Sequence, residues 1–164
     1  MRLLVPLLLI FLVGCNTDRI DALEKQNKDL AAKLEAQTNT ASLASQKECA
    51  TQAESAFASG GWGKEKMASF TNHYNSKMNK CFVEVQNTDA KGATKDGAGI
   101  LVSREVFDAF EGKEFGNYAW SSRAGKKYWE VAPFMCYVLS SSGEKVTCHS
   151  SDEFDALVKI YMED

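Results

Sequence analysis

The sequence predicts an α+β domain that follows a helical N-terminal segment. Three observations support this prediction: a heptad spacing of apolar residues near the N-terminus, several short alternating runs in the middle of the chain, and a second helical spacing at the C-terminus. An antiparallel sheet flanked by an early and a late helix is the simplest assembly of these elements. The expected units are residues 1–14, residues 15–44 and the α+β domain at 45–164.

An amphipathic helix is expected from about residue 18. Its seam residues follow one another at steps of three and four, which is the coiled-coil spacing: Ile20, Leu23, Asn27, Leu30 and Leu34. Asn27 falls at a core position, where an amide costs stability but can fix register, and Arg19 and Glu24 have the spacing of an interchain ion pair. Fewer than three heptads are present, so both a homo-oligomer and a monomeric helix fit this segment.

The domain is expected to start after small and polar residues at 38–44, which interrupt the seam. Ser45 and Glu48 form a Ser-x-x-Glu capping box, and a helix is predicted from about residue 46 to residue 58, ending at Gly60 and Gly61. The residues expected on its buried face are Cys49, Ala53, Ala56 and Phe57.

Seven β-type runs follow the first helix, and a late helix ends the chain. The runs lie at 70–75, 81–85, 100–102, 106–110, 115–120, 128–139 and 145–148, with a polar loop at 87–99 and a hairpin turn at 111–113. At 70–75 a helical spacing of Phe70, Tyr74 and Met78 is the alternative to the extended form. A second capping box at 150–153 then precedes apolar residues at helical spacing, which are Phe154, Leu157, Val158 and Tyr161.

The N-terminus has the pattern of a secretory signal. Arg2 provides a positive charge, residues 3–13 are uncharged and mostly apolar, and Gly14 is a small residue before Cys15. As a helix, residues 3–14 would extend only about 18 Å, whereas a bilayer's hydrocarbon core is roughly 30 Å thick. A cleaved signal is therefore expected rather than a membrane span.

Leu12, Val13, Gly14 and Cys15 together resemble the lipobox of bacterial lipoproteins. The resemblance covers about the first sixteen residues and implies cleavage between Gly14 and Cys15. It further implies that Cys15 receives a diacylglycerol and a further acyl chain, typically palmitate, which anchor the protein in a membrane. Asn16 is not the aspartate that retains such lipoproteins in the inner membrane, so an outer-membrane location facing the periplasm is expected.

If Cys15 is acylated, four of the five cysteines remain, and an exported chain is expected to pair them. Three pairings are open in principle. A turn at 141–143 would place Cys136 opposite Cys148 across a hairpin, close to the separation that a disulfide requires. By elimination, Cys49 pairs with Cys81. No Cys-x-x-Cys is present, so structural bridges are expected.

The charge balance argues against nucleic-acid binding. The chain has 19 basic and 22 acidic residues, and removal of Arg2 with the signal leaves 18 against 22. No basic patch stands out that would neutralise phosphates. No nucleic-acid partner is therefore expected.

No catalytic set, metal site or cofactor is expected, but four residues are candidate ligand contacts. His73 lies in a polar cluster, Asp108 and Glu111 flank a turn and would suit acid–base chemistry, and Trp62 lies in a glycine-rich loop. Residues 87–98 imitate a calcium loop, but Lys91 and Ala98 occupy positions that need oxygen ligands.

The function expected from these features is that of a lipid-anchored cell-envelope protein, which presents a small binding domain on a helical stalk and has no catalysis of its own. Its expected partners are the membrane, an envelope protein or peptidoglycan, and a second copy of the chain through the stalk. Two alternatives remain open: an envelope hydrolase acting on peptidoglycan or peptides, and a structural spacer.

Overall fold

The computed structural model describes residues 5–65 and 67–164, with side chains at 19–38, 42–65 and 67–164. The chain divides into two compact units, Met1–Leu43 and Ala44–Asp164. The predicted signal at 1–14 and the lipidation of Cys15 lie outside the residues whose side chains are described, so both remain predictions.

Helix α1 spans Val5–Ser59. Every described side chain from residue 19 to residue 38 is exposed, including the predicted seam residues. Within the described part of the chain, no helix combines the length and the apolar character that a membrane span requires.

The predicted start of a separate helix near residue 46, with Ser45 and Glu48 as its capping box, is wrong, because α1 is continuous through residues 38–48. This segment contains neither glycine nor proline, and Ser, Thr and Asn each lower helix stability by only a few tenths of a kcal/mol. The Thr38 hydroxyl also donates a hydrogen bond of 2.8 Å to the Leu34 carbonyl, a pattern that a helix accommodates.

The second unit is built on a six-stranded antiparallel sheet whose strands are in chain order. The strands are β1 (Ala68–Asn75), β2 (Lys80–Asp89), β3 (Leu101–Asp108), β4 (Glu114–Ser121), β5 (Met135–Leu139) and β6 (Lys145–Thr147). With helix α2 (Ser151–Met162), this architecture confirms the α+β prediction.

Both faces of the sheet bury apolar side chains. On one face α2 packs onto the sheet, and its buried Phe154, Val158 and Tyr161 join a cluster that includes Phe82 and Val138. On the other face the domain part of α1 packs onto the sheet, in a cluster that comprises Cys49, Ala53, Cys81, Val83, Val85, Phe107 and Ala109. Successive strand residues point to opposite faces, which explains why neighbours such as Phe82 and Val83 join different clusters.

The start of α2 agrees with the predicted capping box. The Ser150 hydroxyl accepts a hydrogen bond from the Glu153 amide at 3.1 Å, and the Glu153 carboxylate accepts one from the His149 amide at 2.7 Å. At the other end, the buried Asn75 amide donates to the carbonyls of Ile160 and Glu163, which satisfies backbone groups that a helix end leaves unpaired.

Both predicted disulfides are present. Cys49 joins α1 to β2 through Cys81, and Cys136 pairs with Cys148 with 5.0 Å between their Cα atoms. The hairpin register is also as expected, since Val138 lies opposite Val146. The paired cysteines are 32 residues apart for Cys49–Cys81 and 12 residues apart for Cys136–Cys148. In the chain-entropy model, closing loops of these lengths raises the free energy of unfolding by about 4 and 3 kcal/mol respectively, which is comparable with the net stability of a small domain.

Several strand limits differ from the prediction. Strand β2 continues to Asp89, and the two runs at 100–102 and 106–110 form the single strand β3. Residues 128–134 do not form a strand; Tyr128–Glu130 is a short 3-10 helix, and β5 begins at Met135. The Glu130 carboxylate accepts a hydrogen bond from the Lys127 amide at 2.8 Å, and this local contact stabilises the turn over the extended form.

Candidate functional site

The turn between β3 and β4 is held together by the carboxylate of Asp108. Its Oδ1 accepts hydrogen bonds from the amides of Phe110 and Glu111, at 2.9 and 3.1 Å, and the Asp108 carbonyl accepts one from Gly112 at 2.8 Å. Gly112 has φ +65°, a backbone conformation that favours glycine. Asp108 therefore acts first as a structural residue that shapes this turn.

Lys80, at the start of β2, links the two predicted carboxylates. Its Nζ donates to Asp108 Oδ2 at 2.7 Å and to Glu111 Oε2 at 3.0 Å. The hydrogen bonds to Asp108 and Glu111 raise the pKa of Lys80, although burial opposes the rise. These side chains line a cavity of about 280 Å³, which we call the lysine cleft and which also includes Ser45, Glu48, Tyr74, Asn79, Cys81 and Phe110.

The electrostatics of Asp108 do not suit a general acid. Burial alone would raise the pKa of Asp108, but the hydrogen bonds from Lys80 and from the Phe110 and Glu111 amides lower it below its ordinary value. A glycosidase acid needs a raised pKa so that it holds a proton at working pH. Asp108 is instead held ionised and paired with a lysine.

A second cavity adjoins the same turn and contains the predicted contact Trp62. We call it the aromatic cleft; its volume is about 440 Å³, and it lies between the end of α1, strand β3 and the β3–β4 turn. It shares Phe110 and Glu111 with the lysine cleft. Its lining residues are Gln52, Ser55, Ala56, Ser59, Gly60, Trp62, Glu105, Phe107, Ala109, Phe110, Glu111 and Gly112.

The aromatic rings of this cleft are fixed by packing. The Trp62 ring stacks on Phe107, with 5.5 Å between ring centroids, and on Phe57 at 6.3 Å. It also covers Gly60 so closely that a Cβ on that glycine would lie 2.3 Å from the indole. Phe110, in contrast, is 54% exposed at the rim shared by both clefts. The cleft thus has a wall of packed aromatic rings and one exposed ring, that of Phe110.

Glu105 is a half-buried carboxylate of the aromatic cleft. It lies on β3 opposite Asn117 of β4. Burial, and then the negative charge of Glu114, raises the pKa of Glu105. Among the described residues, no hydrogen bond or ion pair neutralises it, whereas Glu114 accepts hydrogen bonds from Tyr137 and Asn117.

His73 is not brought into either cleft. It lies on β1 opposite Phe82, and its Nε2 is 3.5 Å from Asp164 Oδ1 near the end of the chain. The structure therefore gathers Trp62, Asp108 and Glu111 around one turn and leaves His73 apart from them.

The other tryptophans have different environments. Trp120 is buried, and its indole donates to the Val131 carbonyl at 2.9 Å, so it belongs to the core. Trp129 is 76% exposed and lines a separate cavity beside the start of α2. Trp129 is thus more exposed than Trp62, the tryptophan predicted as a ligand contact. The sequence did not indicate this difference in exposure.

Lys80 and Glu105 are the site residues that sequence reasoning missed. Glu105 directly follows Arg104, and two adjacent charged residues are unusual inside a strand. Because successive strand residues point to opposite faces, this pattern predicts one charged side chain on each face of the sheet. Arg104 faces α2, where it hydrogen-bonds Glu84, Ser151 and Asp155, so Glu105 faces the opposite side.

In residues 19–38, 42–65 and 67–164, no group of three or more His, Cys, Asp or Glu side chains is arranged to hold a metal ion. The chain matches no protein family model, no curated protein and no solved structure.

Proposed function

We propose that this protein is a lipid-anchored protein of the cell envelope, whose helical segment presents the α+β domain for binding. The observation on which this proposal rests is the convergence of Trp62, Asp108 and Glu111 around one turn, where two adjoining clefts share Phe110. Clefts with an aromatic wall and a few polar groups are typical of binding sites.

Binding is favoured over catalysis by the state of the carboxylates. Asp108 and Glu111 both pair with Lys80, and Asp108 also caps the turn. His73 lies outside both clefts, so it offers no base to this site. An envelope hydrolase acting on peptidoglycan or peptides is therefore the less favoured alternative.

The anchor and the stalk are supported by the sequence and by the exposed helix. The pattern at residues 12–15 resembles a lipobox. Residues 19–38 of α1, all exposed, correspond to about 30 Å of helix at roughly 1.5 Å per residue. We place the protein in the outer membrane, on its periplasmic side.

A structural spacer is a second candidate function, and one observation favours it. The apolar seam residues of α1 have no partner within the described chain, and Leu30 and Leu34 are 63% and 66% exposed. A row of exposed leucines at heptad spacing is typical of a helix that pairs with another helix.

The experiment that tests the binding proposal is site-specific photo-crosslinking in intact cells. A photoreactive phenylalanine analogue replaces Phe110 at the shared rim, and the matched control carries it at Glu144, which is exposed in the β5–β6 turn. We expect a partner to be crosslinked from position 110 only, and to be lost when Cys15→Ala removes the anchor. Identical products from both positions, or products containing only this chain, would contradict a binding role for the clefts.

A further inference from the structure

We propose that the aromatic cleft binds a basic side chain, arginine in particular, of a protein partner, and that Glu105 provides the counter-charge. This inference rests on the proposed binding function and specifies its ligand. It follows from three features of the cleft: its charge, the surroundings of Glu105 and its aromatic walls.

Among the described residues, the charged side chains that line the cleft are both acidic. They are Glu105 and Glu111, and Glu111 is already paired with Lys80 at 3.0 Å. Within the described residues the carboxylate of Glu105 has no ion-pair or hydrogen-bond partner. A partly buried charge without a counter-ion costs free energy, and a bound cation would remove that cost.

The residues around Glu105 make a bound cation more favourable. Glu114 on the adjacent strand adds a second negative charge, and its oxygens already accept hydrogen bonds from Tyr137 and Asn117. The Nζ of Lys145 lies 3.5 Å from the Tyr137 ring centroid, and it forms no ion pair among the described residues. Positive charge is thus favoured beside Glu105, and this also agrees with its raised pKa.

The aromatic walls favour an organic cation over a metal ion. Calcium takes 6–8 oxygen ligands, which one free carboxylate does not supply. Arginine has an apolar stem that packs against rings and a planar guanidinium that binds a carboxylate and stacks on aromatic faces. Trp62, Phe107 and the exposed Phe110 provide the rings, and Glu105 provides the carboxylate.

The test titrates the full-length lipidated protein in detergent micelles with Nα-acetylarginine methylamide, and follows the Trp62 indole signal by NMR. The citrulline analogue, which has the same shape without the charge, is the ligand control. Glu105→Gln is expected to weaken arginine binding about tenfold, the loss typical of one charge-assisted hydrogen bond. Glu144→Gln, the matched control at an exposed turn, is expected to bind like the wild type.

Phe110→Ser gives a second reading that does not depend on Glu105, because Phe110 is exposed and its removal leaves the core intact. Weaker arginine binding by this variant, with an unchanged melting temperature, would support the inference. Equal binding of the arginine and citrulline compounds, or wild-type binding by both cleft variants, would overturn it. The two proposals can fail separately. If arginine does not bind but position 110 still crosslinks to a partner in cells, the arginine inference is wrong and the proposed binding function is still supported. If arginine binds but no partner is crosslinked, the arginine inference is supported and the proposed binding function is contradicted.

Discussion

Asp108 is almost fully buried, and its carboxylate accepts hydrogen bonds from Lys80 and from the amides of Phe110 and Glu111. The same residue therefore fixes the turn that separates the two clefts and neutralises the lysine beside it. The carboxylate of Asp108 therefore has a structural role, because its loss would leave Lys80 and two backbone amides without their hydrogen-bond acceptor.

Asp108→Asn is expected to lower the free energy of unfolding at pH 7 by about 2–3 kcal/mol, because it removes the buried carboxylate that pairs with the partly exposed Lys80. Glu111→Gln is the matched control. Glu111 is exposed, and exposed ion pairs contribute at most about 1 kcal/mol. Urea unfolding of both variants, with the disulfides intact, measures the difference.

The effect of Asp108 is also expected to depend on pH. The pKa of Asp108 is lowered in the folded protein. Its contribution to the free energy of unfolding is therefore complete above the ordinary pKa of 3.8 and is lost as the pH falls through the pKa of the folded state. The stability gap between wild type and Asp108→Asn should therefore narrow below about pH 4. A gap that stays constant from pH 7 to pH 3 would show that the ionised carboxylate is not the stabilising species.

At the scale of elements, α1 is the helix with an unpartnered apolar row. Its seam contains Asn27, and an amide at a core position is best satisfied by the same amide on a parallel, in-register copy. The spacing of Arg19 and Glu24 would place these two residues opposite each other in such a pair.

We expect the chain from residue 16 to dimerise reversibly, and Leu30→Gln to make it monomeric, because this substitution places an amide in the middle of the seam. Leu43→Gln is the matched control: Leu43 is equally exposed but lies off the heptad seam. Sedimentation equilibrium over a range of concentrations distinguishes them. A wild-type monomer at every concentration, or equal loss of the dimer in both variants, would refute self-association through α1.

Elements whose signals are local were predicted well. The cap and the buried face of α2 are determined by Ser150, Glu153 and a helical repeat, and the β5–β6 hairpin by a short turn that aligns Cys136 with Cys148. Each depends on residues that are close in sequence, so the pattern contains the information needed.

The segment at 128–134 was predicted wrongly because two local preferences compete there. Tyr128 and Trp129 have high β-propensity, yet Glu130 holds a 3-10 turn and Pro133 lacks the amide that a central strand needs. The ring of Tyr128 also packs against Trp120, with 4.8 Å between the ring centroids, and this contact further favours the turn. The local turn and the contact with Trp120 act together, and sequence spacing reveals neither the ring contact nor its partner.

The candidate site was predicted only in part. Trp62, Asp108 and Glu111 were identified by residue type, but Lys80 and Glu105 enter the clefts through strand register and through the packing of α1 on the sheet. The Lys80–Asp108 contact spans 28 residues of chain. Such pairings depend on which strands are neighbours, and one sequence leaves that choice open.

The state of the five cysteines of the whole molecule depends on whether the chain is exported. If the chain is exported and Cys15 is acylated, the other four cysteines are oxidised in pairs, as the structure has them. The bridges then stabilise a small domain whose clefts face the periplasm. If the chain is not exported, a reducing compartment would keep these cysteines as thiols.

Export, lipidation and disulfide formation are tested together by the intact mass of the protein purified from its native membrane, combined with a count of free thiols. We expect a chain that begins at Cys15, carries a diacylglycerol and a further acyl chain, and has no free thiol. Cys15→Ala should abolish the lipid mass and release the protein from the membrane fraction. A chain that retains residues 1–14, carries no lipid and has reduced cysteines would contradict both the lipid anchor and the export of the protein.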